Sequence, residues 1–174
     1  PATYTFAELI PWGSHPVLDY LWSSETLEFV HDGCEATRIQ KVELIAKSDL
    51  ALRTIRVCWQ NPSSSYNCGR CEKCLRTMIN LKVCNVLNQC TTFEADLDYK
   101  LVSQISAHEE HIKAFVRQNL TYLKRYKIDP KLEKALNRVV NRSNIVHHLK
   151  QLIPSKCKTY LKDKFSYFKD RSLR

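Results

Sequence analysis

Four of the eight cysteines lie in one short stretch in the middle of the chain, at Cys58, Cys68, Cys71 and Cys74. The last three follow each other in two overlapping C-x-x-C steps, and this spacing lets a turn aim several sulfurs at one point. Gly69 directly follows Cys68, where a residue without a Cβ can take the positive φ needed to curl around an ion. The pattern predicts a tetrahedral thiolate site for Zn²⁺. Because sulfur fills all four positions, we expect this metal to stabilise the fold and not to activate water.

A disulfide pair or a redox C-x-x-C is the alternative for these thiols. The sequence shows no secretory signal, so an oxidising compartment has no support, and a redox motif needs two thiols instead of four. We therefore predict a cytoplasmic protein. The remaining cysteines are expected to be ordinary reduced thiols: Cys34, Cys84, Cys90 and Cys157.

The residues before the cysteines favour a helix followed by a strand. Thr37 and Gln40 have the spacing of a capping box, which predicts a helix from Arg38 to about Ser48. Residues 54–57 then read as a strand that delivers the first cysteine to the metal, and residues 27–30 could form another short buried strand.

The residues after the cysteines favour helices almost to the end of the chain. Glu72 is predicted to open a helix whose apolar residues recur at i, i+3 and i+4. Further helical segments are predicted from residue 98, with one beginning at Asp129 and Pro130 and another at Ser143. The sequence thus indicates an α/β fragment that is mostly α, with short strands and a four-cysteine zinc site followed by a C-terminal helical bundle.

Charge divides the chain into two unlike parts. Residues 1–112 carry 10 Lys or Arg against 14 Asp or Glu, giving −4, and residues 113–174 carry 17 against 4, giving +13. The basic part could bind an anionic partner, either nucleic acid or a membrane surface, or could be a solvated helical surface. Basic and aromatic residues alternate in segment 157–168, which could bind phosphates and bases or dock on the bundle. No stretch is apolar enough to cross a membrane.

A set of residues follows the helix start at residues 37–41: Cys58, Cys68-Gly69-x-Cys71-x-x-Cys74 and Arg76. This set resembles the C-terminal zinc region of 7-cyano-7-deazaguanine synthases. These are PP-loop ATP pyrophosphatases of the adenine nucleotide alpha hydrolase-like superfamily. The resemblance covers residues 31–87 and implies a structural zinc. It also implies a preceding domain whose Ser-Gly-Gly-x-Asp-Ser loop holds ATP.

The chain itself contains no such loop, because its three glycines are isolated. It also begins at Pro1 without an initiator methionine, which suggests a fragment of a longer protein or a processed or trimmed chain. We therefore expect residues 1–95 to be the C-terminal part of a PP-loop-like domain, and residues 96–174 to be a basic helical domain. The preceding PP-loop domain would be the partner, ATP would be a cofactor of the whole protein, and this chain alone would be inactive, with no catalytic residue of its own.

On this hypothesis four residues lie nearest the active cleft and contact substrate: His31, Asp32, Arg38 and Lys41. Arg38 and Lys41 are one helical turn apart, which suits them to phosphate or carboxylate oxygens. The histidine could instead cap a turn, and the two basic residues could be surface charge. A rival hypothesis is a non-enzymatic, zinc-stapled module that binds nucleic acid through residues 113–174, and a third is a pure assembly domain.

Overall fold

The computed structural model describes residue 9 and residues 13–60, 65–107 and 109–152, with side chains described as far as residue 142. This part of the chain is mostly helical, as predicted. Two short 3-10 turns, Asp19–Trp22 and Leu87–Gln89, accompany the α-helices. The helices are α1 Arg38–Ile45, α2 Asp49–Thr54, α3 Glu72–Val83, α4 Tyr99–Ser103, α5 Glu110–Tyr126 and α6 Pro130–Leu152.

Side-chain caps set the beginnings of several helices. Thr37 and Gln40 form the predicted capping box of α1, since the Thr37 side chain accepts from the Gln40 amide and the Gln40 side chain accepts from the Thr37 amide. Asp129 caps α6 by accepting from the amides of Lys131 and Leu132, both at 3.0 Å. These caps satisfy amides that have no partner within the helix, so the local sequence is sufficient to place these helix starts.

One continuous cluster of buried apolar side chains runs from Val42 to Val139. The long helix α6 packs against α4 and α5, and α5 packs in turn against α3, which gives the predicted helical bundle. Met78 and Ile79 of α3 are fully buried in this cluster together with Phe115 of α5. The cluster includes residues on both sides of the domain boundary predicted at residue 95, and that boundary stays a prediction.

The two predicted strands are absent from the described residues. Residues 49–54 form α2, and residues 55–58 form neither helix nor strand. The Asn67 side chain accepts from the amides of Val57 and Cys58 and donates to the carbonyl of Ile55, so these backbone groups have partners without a sheet. Residues 27–30 form no strand either, and Val30 is 74% exposed. Their apolar pattern indicated burial, but they bond instead to Ser23 and Ser24. The Ser23 hydroxyl accepts from the Phe29 amide and the Ser24 amide donates to the Leu27 carbonyl, which is a turn and not a sheet.

The predicted helix start at Ser143 is also wrong, because α6 continues through it from Pro130 to Leu152. A serine is tolerated inside a helix when the neighbouring residues favour helix, and no proline or glycine interrupts residues 131–152. The predictions for Cys157 and for segment 157–168 lie outside the described residues. Within the described part of the chain, no helix combines the length and the apolar character that crossing a membrane requires.

Candidate metal centre

The structure brings the four predicted cysteines together. Their Sγ atoms all lie within 4.8 Å of one another. The distance between the sulfurs of Cys58 and Cys71 is 3.9 Å, and that between the sulfurs of Cys68 and Cys74 is also 3.9 Å. These separations are far longer than a disulfide bond of about 2.05 Å, and all four cysteines are free. The cluster could therefore hold a metal ion.

Two chain segments meet at this cluster. Cys58 lies at the end of residues 55–58, which follow α2, and Cys71 is the residue that precedes α3. Cys74 follows in the first turn of that helix and is fully buried. Gly69 has a φ of +67°, as predicted, and so allows the loop to turn back between Cys68 and Cys71. A metal here would fasten residues 55–58 to α3.

Backbone amides surround the sulfur atoms. The Cys71 amide donates to the Cys68 sulfur at 3.3 Å. Each of the other three sulfurs also accepts from the backbone. The donors to them are the amides of Gln60, Cys68, Gly69 and Cys74. Because N–H groups that point at sulfur favour the thiolate form, this arrangement suits metal ligands better than neutral thiols.

The four thiols do not ionise alike. Burial works against ionisation of Cys58, but hydrogen bonds from the amide and thiol of Cys68, the amide of Gln60 and the thiol of Cys74 together outweigh it and lower the pKa of Cys58 to about 6. Burial raises the pKa values of Cys71 and Cys74, whose thiols also adjoin one another. A divalent cation would be the largest local charge and would stabilise all four as thiolates.

Asn67 holds the segment that carries Cys58. Its Oδ1 accepts from the amide of Val57 at 2.9 Å and from that of Cys58 at 3.1 Å. Its Nδ2 donates to the carbonyl of Ile55 at 3.0 Å, and to the carbonyl and hydroxyl of Thr92 at 3.2 and 3.1 Å. This side chain, 3% exposed, ties three separate segments together one residue before the second cysteine.

The histidine predicted to contact substrate pairs with a residue that sequence analysis missed. His31 Nδ1 lies 2.5 Å from Asp19 Oδ2, and the His31 side chain is 7% exposed. Asp19 also accepts from the hydroxyl of Ser14 at 2.9 Å and from the amide of His15 at 2.7 Å. Hydrogen bonding to His31 is the main cause that lowers the pKa of Asp19 to about 2. The Nε2 of His31 is buried and has no hydrogen-bond partner among the described residues.

The other three residues predicted to contact substrate have different surroundings from His31. Asp32 is exposed. Lys41 donates to the carbonyl of Gly33, whose φ is +84° and whose missing Cβ leaves room for the lysine. Arg38 lies against α3 and donates from Nε to Asn80 Oδ1 at 3.2 Å. The assignment of these four residues to substrate binding stays a prediction.

No protein-family model, curated protein or solved structure matches this chain. Function is therefore inferred from the site itself.

Sequence reasoning identified the four clustered cysteines but missed the residues that position them. The Asn67 side chain bonds to residues as far away as Thr92, and Asp19 pairs with His31 across a loop. The position of Asn67 directly before Cys68 was the one available signal, because side chains next to metal ligands commonly orient them. Nothing in the spacing of Asp19 indicated its partner.

Proposed function

We propose that the four cysteines hold a structural Zn²⁺, and that the chain is the zinc-stabilised C-terminal portion of a PP-loop ATP-dependent enzyme. The observation that carries the first part is the cluster of four sulfurs. A tetrahedral ion with Zn–S bonds of about 2.3 Å requires sulfurs about 3.8 Å apart. The separations of 3.9 Å for Cys58–Cys71 and Cys68–Cys74 fit that requirement.

The donor set also supports zinc and a structural role. Four thiolates suit zinc better than hard cations such as Mg²⁺ or Ca²⁺, which prefer oxygen ligands. Zinc bound here would contribute folding free energy by cross-linking residues 55–58 to α3. With four sulfurs as ligands, the ion keeps no open position for a substrate or a reactive water.

The second part of the proposal rests on the resemblance of residues 31–87 to the zinc region of PP-loop enzymes. The residues of this chain do not fit ATP, because the sequence contains no Ser-Gly-Gly-x-Asp-Ser loop. We therefore assign no step of ATP chemistry to this chain. In this proposal the metal and the bundle of α3, α5 and α6 form a rigid support for a nucleotide-binding domain encoded elsewhere.

The genomic reading frame upstream of the codon for Pro1 tests this second part. We expect it to encode a Ser-Gly-Gly-x-Asp-Ser loop after a predicted strand. The protein expressed with that region should exchange labelled pyrophosphate into ATP in the presence of its substrate. The chain of residues 1–174 should show no exchange and serves as the control. An upstream frame without such a loop, or a stop codon in its place, would refute the PP-loop assignment and leave the zinc proposal intact.

A second candidate function, binding of nucleic acid, is favoured by the turn between α5 and α6. Basic side chains concentrate there and all are exposed to solvent: Lys124, Arg125, Lys127, Lys131 and Lys134. The acidic Asp129 in the same turn is engaged with Tyr99, whose hydroxyl donates to Oδ2 at 2.7 Å. Such a patch could contact several phosphates of one strand.

Fluorescence anisotropy with a labelled single-stranded RNA tests this candidate. If the patch binds, the affinity should fall steeply between 50 and 200 mM salt, because each phosphate contact releases counterions. Replacing Lys124, Lys127 and Lys131 by alanine should then reduce the slope of log Kd against log salt by roughly 0.7 for each phosphate that the variant no longer neutralises. The matched control is Lys47→Ala, which removes an exposed lysine after α1. Absence of binding at 50 mM salt would rule out this function for the patch.

A further inference from the structure

A chain of buried amide side chains holds the guanidinium of Arg38 in place. Arg38 Nε donates to Asn80 Oδ1 at 3.2 Å, and Asn80 Nδ2 donates to Asn119 Oδ1 at 3.0 Å. Asn119 Nδ2 then donates to the carbonyl of Phe115 at 2.8 Å. Asn80 and Asn119 are both fully buried. Because a buried polar network is costly unless every member is satisfied, one that ends at a half-buried arginine orients that arginine strongly.

A second arginine lies on the same helix as Asn80. Arg76 precedes Asn80 by one turn of α3, so both residues are on one face of that helix. The Arg76 side chain is 9% exposed and forms an ion pair with Glu72. Its guanidinium also lies over the ring of Phe115, with 5.4 Å between Cζ and the ring centroid. Arg38 is bonded to Asn80, one turn of α3 from Arg76, and the positive charge of Arg76 lowers the pKa of Arg38, so the two guanidiniums lie on the same side of α3.

One carboxylate is shared by the two guanidiniums of this pair. Glu72 is the carboxylate that both arginines experience, and it is already paired with Arg76. Arg38 donates to Asn80 and has no carboxylate partner among the described residues. Burial lowers the pKa of Arg38, and the positive charge of Arg76 lowers it further. With the thiolates of the metal centre left aside, two arginines against one glutamate give a formal charge of +1 in a partly buried place.

The pair also has unused donors. The Nε of Arg76 is buried and has no hydrogen-bond partner in the described part of the chain. The Arg38 guanidinium donates from Nε to Asn80, and its Nη groups make no hydrogen bond to a described residue. A buried donor without a partner is costly, and a planar fork of guanidinium donors matches the oxygens of a phosphate or a carboxylate.

We propose that Arg38 and Arg76 form a binding site for the oxyanion group of a small ligand, with Arg38 as the solvent-accessible arm and Arg76 as the buried one. The ligand group is a phosphate or a carboxylate. Lys41, the partner of Arg38 in the sequence prediction, is instead bonded to the carbonyl of Gly33 and is not part of this site. The site requires only that α1 packs on α3, so it does not depend on the PP-loop assignment.

A purely structural role for the two arginines is the competing explanation. In that case their charge would only balance the thiolates of the neighbouring metal centre, since Glu72 directly follows Cys71. The two explanations differ in what Arg38 does for a soluble anion. A structural role predicts no saturable binding, whereas an oxyanion site predicts binding that disappears with the guanidinium.

Isothermal titration calorimetry on the metal-loaded chain in 0.15 M NaCl distinguishes an oxyanion site from a purely structural role. The three probes are inorganic phosphate, pyrophosphate and malonate. Comparing the affinities for phosphate and pyrophosphate with that for malonate distinguishes a phosphate ligand from a carboxylate ligand. We expect saturable binding of at least one probe with one site per chain. Arg38→Gln should weaken it about 10- to 100-fold, because the variant cannot make a charge-assisted, bidentate hydrogen bond to the anion. Arg38→Lys keeps the charge without the planar fork, and should weaken binding by an intermediate factor.

The matched control is Arg53→Gln, which removes an exposed arginine that pairs with Asp49 on α2. It should change the affinity less than twofold, while far-UV circular dichroism shows that all three variants keep the helical content of the parent chain. The proposal is wrong if none of the probes binds at 10 mM. It is also wrong if both Arg38 variants, folded, bind as tightly as the parent chain.

Discussion

Removal of the metal is expected to unfold the region around residues 55–83. Structural zinc contributes about 10 to 16 kcal/mol to the folding of zinc-finger peptides, and a whole domain is typically stable by only about 5 to 15 kcal/mol. An excess of a zinc chelator should therefore abolish the cooperative thermal unfolding transition and lower the helical circular dichroism signal. Cys74→Ser should do the same without chelator, because Cys74 is fully buried and lies in the first turn of α3. Elemental analysis should find one zinc per parent chain and none in this variant.

The control for this experiment is Cys84→Ser. Cys84 lies just beyond the end of α3, is only partly buried and is outside the metal cluster. The variant should keep one zinc per chain and unfold at nearly the parent temperature. A melting curve that chelator leaves unchanged would exclude a structural metal, and retention of zinc by Cys74→Ser would exclude the four-cysteine ligand set.

Asn67→Ala is expected to destabilise the metal-loaded protein by about 3 to 5 kcal/mol. The substitution removes the acceptor of the Val57 and Cys58 amides and the donor to the Ile55 and Thr92 carbonyls. Each buried polar group left without a partner costs about 1 to 3 kcal/mol, and movement of the loop will satisfy some of them with water. Urea unfolding measures the loss of stability as a lower midpoint with an unchanged dependence on denaturant concentration.

Two further variants sharpen this prediction. Asn88→Ala, at an exposed asparagine in the 3-10 turn Leu87–Gln89, should change the free energy of unfolding by less than about 0.5 kcal/mol. Asn67→Asp keeps an acceptor for the two amides but removes the donor and buries a charge, so it should also destabilise the protein. If Asn67→Ala unfolds at the parent urea midpoint, the segment of residues 55–58 does not depend on Asn67.

Asn67 and the proposed metal would act on the same segment, residues 55–58. Residues 55–58 need hydrogen-bond partners, and a sheet would normally supply them. Here one asparagine side chain provides those hydrogen bonds, and the proposed metal would hold the end of the segment through Cys58. The proposed metal and the Asn67 side chain would together hold residues 55–58 in place without a neighbouring strand.

The sequence by itself determined the features that depend on local chemistry. The capping box of Thr37 and Gln40 and the Asp129 cap place the beginnings of α1 and α6. The C-x-x-C spacing and the positive φ of Gly69 place three sulfurs on one turn, and the apolar spacing after Glu72 gives α3. Each of these involves residues a few positions apart, so the pattern in the sequence is the physical cause of the structure.

Only the tertiary structure decided which distant residues became partners. Apolar alternation predicted strands at residues 27–30 and 54–57. Strand formation also requires a neighbouring segment, and no pattern within those residues indicates which segment that would be. For the same reason the contacts of His31 with Asp19 and of Arg38 with Asn80 could not be inferred from spacing. The contact between Arg38 and Asn80 arises because α1, α3 and α5 pack their apolar faces together. Such packing brings polar side chains from separate segments within hydrogen-bond distance, and burial then makes their pairing necessary.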